Sequence, residues 1–128
     1  MLATTFVASL CAGAFSVQAQ SGVWNNASGG SWAAQPNWSG GIIANGTNAV
    51  ADFSTLALTA DATVTLDGTQ TVGSLIFGDT SASHNWFLNP GNNGALILAD
   101  TNAVRTITSY SPPTTTGWGR TLFPRTTL

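Results

Sequence analysis

Few side chains in this 128-residue sequence are equipped for chemistry. Its carboxylates are Asp52, Asp61, Asp67, Asp79 and Asp100, and there is no Glu. Paired carboxylates could hydrolyse a glycosidic bond, and Asp52, Asp67 and Asp79 are the residues from which a pair could come. Each Asp lies beside a turn signal, where its side chain is favoured for hydrogen bonds to the nearby backbone. A turn role is therefore the stronger expectation. His84 stands alone between Ser83 and Asn85. No Gly-x-Ser-x-Gly elbow accompanies it, so a serine-nucleophile triad is not expected. Zinc would need several His or Cys. Calcium held by Asp67, Asp79 and turn carbonyls lacks the repeated Asp-rich nonapeptide that would support it. No catalytic residue, metal or cofactor is expected.

Trp24, Trp32, Trp38 and Trp86 raise a different chemistry, because flat aromatic faces stack on sugar rings. Trp32 and Trp38 are the candidate glycan contacts. The competing role is to cover the end of a core, where strand edges and apolar side chains would otherwise meet water. That role is the stronger expectation. The Asn-x-Ser/Thr triplets at Asn26, Asn37 and Asn45 arise readily by chance in a chain this rich in Asn and Thr.

The elements that must position these residues follow from composition and pattern. Only 6% of residues are charged, with no Lys, and the formal net charge is −2. Helices lean on Glu, Lys and Arg for their solvated faces, so a helical bundle is excluded. A nucleic-acid partner is excluded too, for want of a basic footprint. The 43% hydrophobic content is too high for a disordered chain. Period-two alternation through Leu56, Leu58, Val64, Leu66, Val72, Leu75 and Phe77 predicts short strands with these residues in the core. Further strands are predicted over 83–88 and 95–99, with a turn at Asn89 to Gly94. Asp67-Gly68 could close a two-residue hairpin, or it could be one corner of a parallel solenoid. The pattern leaves both open, so an all-β parallel solenoid and a small antiparallel β-sandwich are alternatives.

Leu2 to Val17 is apolar and uncharged but too short to span a bilayer. It ends in Val17-Gln18-Ala19, the small-residue spacing that signal peptidase reads. Residues 1–19 are predicted to be a secretory signal, cut after Ala19. The one cysteine, Cys11, leaves with it, so disulfides are not expected in the mature chain. No stable membrane span is expected.

Gly30-Ser31-Trp32, Pro36-Asn37-Trp38-Ser39-Gly40-Gly41, Ala51-Asp52-Phe53-Ser54, Thr63-Val64-Thr65-Leu66-Asp67-Gly68 and Thr71-Val72-Gly73-Ser74-Leu75-Ile76-Phe77-Gly78-Asp79 follow one another in a distinctive order. Over residues 20–100 this order resembles the N-terminal region of secreted bacterial proteins with autotransporter-associated β-strand repeats. The resemblance implies the start of a right-handed parallel β-helix with an N-terminal cap. It also implies a secreted or cell-surface location in a bacterium and a non-enzymatic structural or adhesin-type role. Partners would be surface polysaccharide or further coils of a longer parent chain. A carbohydrate-binding β module and a secreted hydrolase remnant are the alternatives. Residues 101–128 depart from the pattern. They hold all three Arg, Pro112-Pro113 and Gly117-Trp118-Gly119, and they are expected to be an atypical, flexible tail on a chain cut short or frameshifted.

Overall fold

The computed structural model describes residues 18–102 and 105–110. Most of the expected signal segment, with Cys11, and residues 111–128 of the expected tail lie outside the described residues. The described strands are β1 (Gly22–Val23), β2 (Gly29–Ser31), β3 (Val50–Phe53), β4 (Ala62–Thr65), β5 (Thr69–Val72), β6 (Ser74–Gly78), β7 (Trp86–Asn89), β8 (Ala95–Leu98) and β9 (Thr106–Tyr110). Two single-turn 3-10 helices, Gln35–Asn37 and Ser39–Gly41, lie between β2 and β3.

The strands form three sheets, ordered β1-β3-β6-β9, β2-β4-β7 and β5-β8. Every strand pair is parallel. Antiparallel contact among the described residues is confined to two isolated bridges, Gln20 with Asn45 and Trp24 with Trp38. The antiparallel sandwich is thereby overturned. Asp67-Gly68 does not close a hairpin. It turns the chain from β4 into β5, which belong to different sheets. Gly68 has φ +134 and Asp67 has φ +50, so both central residues take left-handed angles. Here they make a corner, because parallel neighbours must be reached by a longer route.

Within each strand pair the register runs without a break. Ala51 lies on Leu75, Thr63 on Phe87, and Thr69 on Ala95. Residues in register present their side chains to the same face, so like stacks on like. Phe53 and Phe77 stack with ring centroids 5.1 Å apart and planes 16° from parallel. The inward residues Ala51, Phe53, Val64, Leu66, Val72 and Leu75 join Trp24, Trp32 and Trp38 in one buried core.

Three expectations about elements change. Leu56 and Leu58 lie in the corner between β3 and β4, not in a strand. Leu58 is still buried, and its backbone N–H is taken by a side-chain carboxylate instead of a ladder partner. The strand expected at 83–88 begins only at Trp86, because Ser83 to Asn85 wrap the same carboxylate and the neighbouring Asp61. Thr106–Tyr110, expected to be tail, pairs along all of β6. Its Thr-Ile-Thr run is β-branched and suits a strand. The cue was weak because Ile107 is the run's one aliphatic residue, and it is 52% exposed on the open side of the stack.

Candidate functional site

Trp32 and Trp38 are the residues that sequence proposed for a sugar. The structure places them at 0% and 2% exposure. Each polar edge is used internally. Trp32 Nε1 donates to the Ala44 carbonyl at 3.1 Å, and Trp38 Nε1 donates to the Trp32 carbonyl at 2.7 Å. The two indoles meet edge to face, with centroids 5.1 Å apart. Trp24, fully buried, meets Trp38 edge to face at 5.0 Å. All three lie against Phe53 at 5.4 to 5.7 Å. Neither Trp32 nor Trp38 has a face open to a ligand, so the glycan-contact assignment is corrected and these rings close the first end of the core. Single tryptophans scattered among glycines gave no inward alternation, so the sequence did not show which faces are buried. Asn37 locks this end, donating to the Ser31 carbonyl at 2.8 Å and accepting from Asn26 Nδ2 at 2.9 Å.

Asp52, Asp61 and Asp100 are each engaged by nearby backbone and side-chain donors. Asp52 accepts from the Ser54 backbone N–H and hydroxyl at 2.8 and 2.6 Å. Asp61 accepts from the Asn85 N–H at 2.9 Å, and Asp100 from the Asn102 N–H at 2.6 Å. Each closes a turn or ties one corner to the next. Among the described residues no three His, Cys, Asp or Glu side chains group to hold a metal ion.

Asp79 is the polar centre of the molecule. Only 6% exposed, it follows β6 directly. Its Oδ1 accepts from the N–H groups of Leu58 and Ser81 at 2.9 and 3.0 Å and from Ser81 Oγ at 2.7 Å. Oδ2 accepts from the N–H groups of Ser83 and His84 at 2.8 and 3.0 Å. One carboxylate thus organises its own corner, 79–84, and pins the corner beneath it through Leu58. The Asp-x-Ser-x-Ser spacing is the cue in the sequence. It reads locally as an ordinary turn, and only the stacking of two corners brings Leu58 to it.

Burial acts to raise the Asp79 pKa, but the hydrogen bonds from Leu58, Ser81 and Ser83 outweigh it and hold the carboxyl far below the usual carboxylate range. The native state therefore favours the ionised form. Its contribution is complete above the unfolded value, about 3.9, and is lost as pH falls through that value toward the folded one. Asp79→Asn should lower Tm at pH 7 and should do so by less as pH drops from about 4 toward 2. Thermal melts of both proteins across that range check the sign.

Ser83, His84 and Asp79 have the composition of a nucleophile triad but not its geometry. Ser83 Oγ lies 2.7 Å from His84 Nδ1, and the same Nδ1 lies 3.1 Å from the Leu58 carbonyl. A carbonyl can only accept, so His84 bonds the Leu58 carbonyl in the tautomer that carries its proton on Nδ1. Asp79 bonds the His84 backbone, not its ring. A triad needs the carboxylate on the imidazole itself, to orient the ring.

A cavity of about 400 Å³ lies beside this corner, lined by Phe77, Asp79, His84, Trp86, Ser109 and Tyr110 among others. Trp86 Nε1 donates to the Gly78 carbonyl at 2.7 Å, which fixes the indole as one wall. This cavity was not foreseen from sequence, because it depends on β9 crossing over β6.

Compared with protein-family models, with curated proteins and with solved structures, the chain matches none of them. The fold is all-β with parallel sheets, and the side chains of Asp52, Asp61, Asp79 and Asp100 hold its turns and corners. No helix among the described residues is long and apolar enough to cross a membrane.

Proposed function

We propose that the chain is the N-terminal cap and first coils of a secreted or cell-surface right-handed parallel β-helix, a structural, non-enzymatic module. One observation carries this reading: the two ends of the stack are built differently. At the first end, Trp24, Trp32 and Trp38 are buried together against Phe53. At the other, the inward residues Trp86, Leu88, Leu96 and Leu98 are only partly buried, and Ile107 is 52% exposed. An exposed apolar end with unpaired strand edges is a template for further strands. Repeat architectures cover such ends with another repeat or a cap.

After a first pass through the first two sheets alone, the chain visits its three sheets in cyclic order from β3 to β9, and each strand after the first in a sheet adds a parallel neighbour. That order supports a coil. The quoted resemblance to autotransporter-associated β-strand repeat proteins agrees with it and suggests export in a bacterium. The partner would be further coils of the same kind, laid on β7, β8 and β9.

Hydrogen exchange on the exported chain tests this reading. The exported chain should have the mass of a protein beginning at Gln20. Amides of β3, β4 and β6, each flanked by strands on both sides, should exchange slowest, and those of the edge strands β8 and β9 fastest. A chain that keeps Met1 on export would overturn the signal assignment. Equal protection of β3, β6, β8 and β9 would overturn the open end.

A further inference from the structure

Asparagine is among the thermolabile residues, and it is most labile before glycine. The glycine nitrogen, with no side chain beside it to hinder approach, can attack the asparagine side-chain amide. The sequence has two such pairs, Asn45-Gly46 and Asn93-Gly94. Both asparagines are exposed, so water reaches them alike. What differs is the nitrogen that would attack.

The Gly46 N–H donates to the Thr71 carbonyl at 2.7 Å, and the Gly46 carbonyl accepts from the Ala49 N–H at 3.1 Å. A donated N–H keeps its proton, and a residue bonded on both sides cannot turn toward the side chain before it. The Gly94 N–H has no such partner among the described residues. Gly94 ends the corner from β7 to β8, where Asn93 has φ +60. Asparagine takes that left-handed angle more readily than most residues. The fold also demands the glycine, because a Cβ at position 94 would run into the Pro90 carbonyl and the Leu66 side chain. The geometry that closes this corner therefore selects the labile pair and leaves its nitrogen unheld.

We propose that Asn93-Gly94 is a site of spontaneous covalent modification, an asparagine that the folded chain converts to aspartate and isoaspartate while Asn45 is spared. The Gly94 nitrogen bonds to Asn93 Cγ and gives up its proton. The Cγ–Nδ2 bond breaks, and Nδ2 leaves with that proton as ammonia, closing a cyclic imide. Water then adds to one of the two imide carbonyls. Cleavage between nitrogen and Cγ gives aspartate. Cleavage at the main-chain carbonyl gives isoaspartate, whose main chain runs through the side chain and is longer by one carbon. Amide and water become carboxylic acid and ammonia, and nothing is oxidised or reduced. Either product adds a negative charge to a corner that already packs on another acid, since Gly91 lies against the Asp67 side chain. Isoaspartate also lengthens the chain just before Ala95, whose N–H donates to the Gly68 carbonyl at 3.1 Å where β8 begins. The modification loosens β8 from β5.

Peptide mapping by mass spectrometry tests this on the full chain aged in warm, mildly alkaline buffer, folded and in urea. Unfolded, the two pairs share one local chemistry and give a reference ratio. Folded, conversion at Asn93 relative to Asn45 should exceed that reference about tenfold or more, because Asn45 must wait for local opening. Asp67-Gly68 can close the same ring only by losing water that it later regains, so a gain in mass reports asparagine alone. A folded ratio equal to the unfolded one would overturn the proposal. So would a gain at Asn45 with none at Asn93, or isoaspartate at position 93 confined to the urea sample. Asn93→Asp carries the new charge on a main chain of ordinary length. The isoaspartate form should melt below it, and equal melting would overturn the loosening of β8.

Discussion

Phe53→Ala should cost about 3 to 5 kcal/mol of stability and leave the chain largely unfolded at 37 °C. Phe53 is fully buried and touches more aromatic rings than any other described residue: Trp24, Trp32, Trp38, Phe77 and Trp86, all within 5.1 to 5.7 Å. Removing the ring deletes its own burial and opens a void that large, interlocked neighbours cannot collapse to fill. Four of those neighbours also have indole N–H groups bonded to backbone carbonyls, which limits their movement further. A small domain holds only about 5 to 15 kcal/mol in all, so the loss is a large share of the total. Phe53→Leu, which keeps most of the volume, should retain a cooperative melt at a lower Tm. The comparison is made by urea unfolding with tryptophan emission. An alanine variant within 1 kcal/mol of the parent would show that the aromatic cluster is not the core.

The second large effect comes from the smallest residue. Gly29→Ala should destabilise by on the order of 3 kcal/mol, through strain and overpacking together. Gly29 has φ +81, which an L side chain rarely adopts. A Cβ there would also run into the Thr63 carbonyl of the neighbouring strand, and β2 pairs with β4 at that residue. Gly68→Ala separates the two causes. Its φ is +134, but nothing lies within 4 Å of the added carbon, so only the strain remains and the cost should be about half as great. Equal losses in the two variants would mean that close packing of β2 on β4 contributes nothing.

How far the sequence disclosed this arrangement depended on how local the cause was. Val64, Leu66, Val72 and Leu75 were legible as core because their alternation sits within single strands, and they are buried. Leu58 was placed in the core correctly but in the wrong element, since a buried leucine in a corner has the same spacing as one in a strand. Asp67-Gly68 was ambiguous because left-handed angles at a turn serve a hairpin and a corner alike. Parallel or antiparallel pairing is decided by partners 24 or more residues away, which no local pattern encodes. The same limit explains the site. Trp32 and Trp38 carry the residue type of a sugar platform, and only the position of Phe53 beneath them makes them core. Asp79 reads as a turn residue, and it is one. What the sequence hid is that Asp79 Oδ1 also takes the Leu58 N–H and so binds two successive corners into one unit.

The account stands on in-register parallel pairing, and cysteine cross-linking reads that directly. Thr63 and Phe87 are register partners on neighbouring strands, and both are exposed. Paired strands lie about 4.8 Å apart, within the Cα separation that a disulfide bridges. In a Cys11→Ser background, Thr63→Cys with Phe87→Cys should oxidise to an intramolecular disulfide without loss of the cooperative melt. Thr65→Cys with Gln70→Cys, which a hairpin at Asp67-Gly68 would set face to face, should stay reduced. The reverse result, a bridge at 65 and 70 and none at 63 and 87, would contradict the parallel coil and the structural role proposed from it.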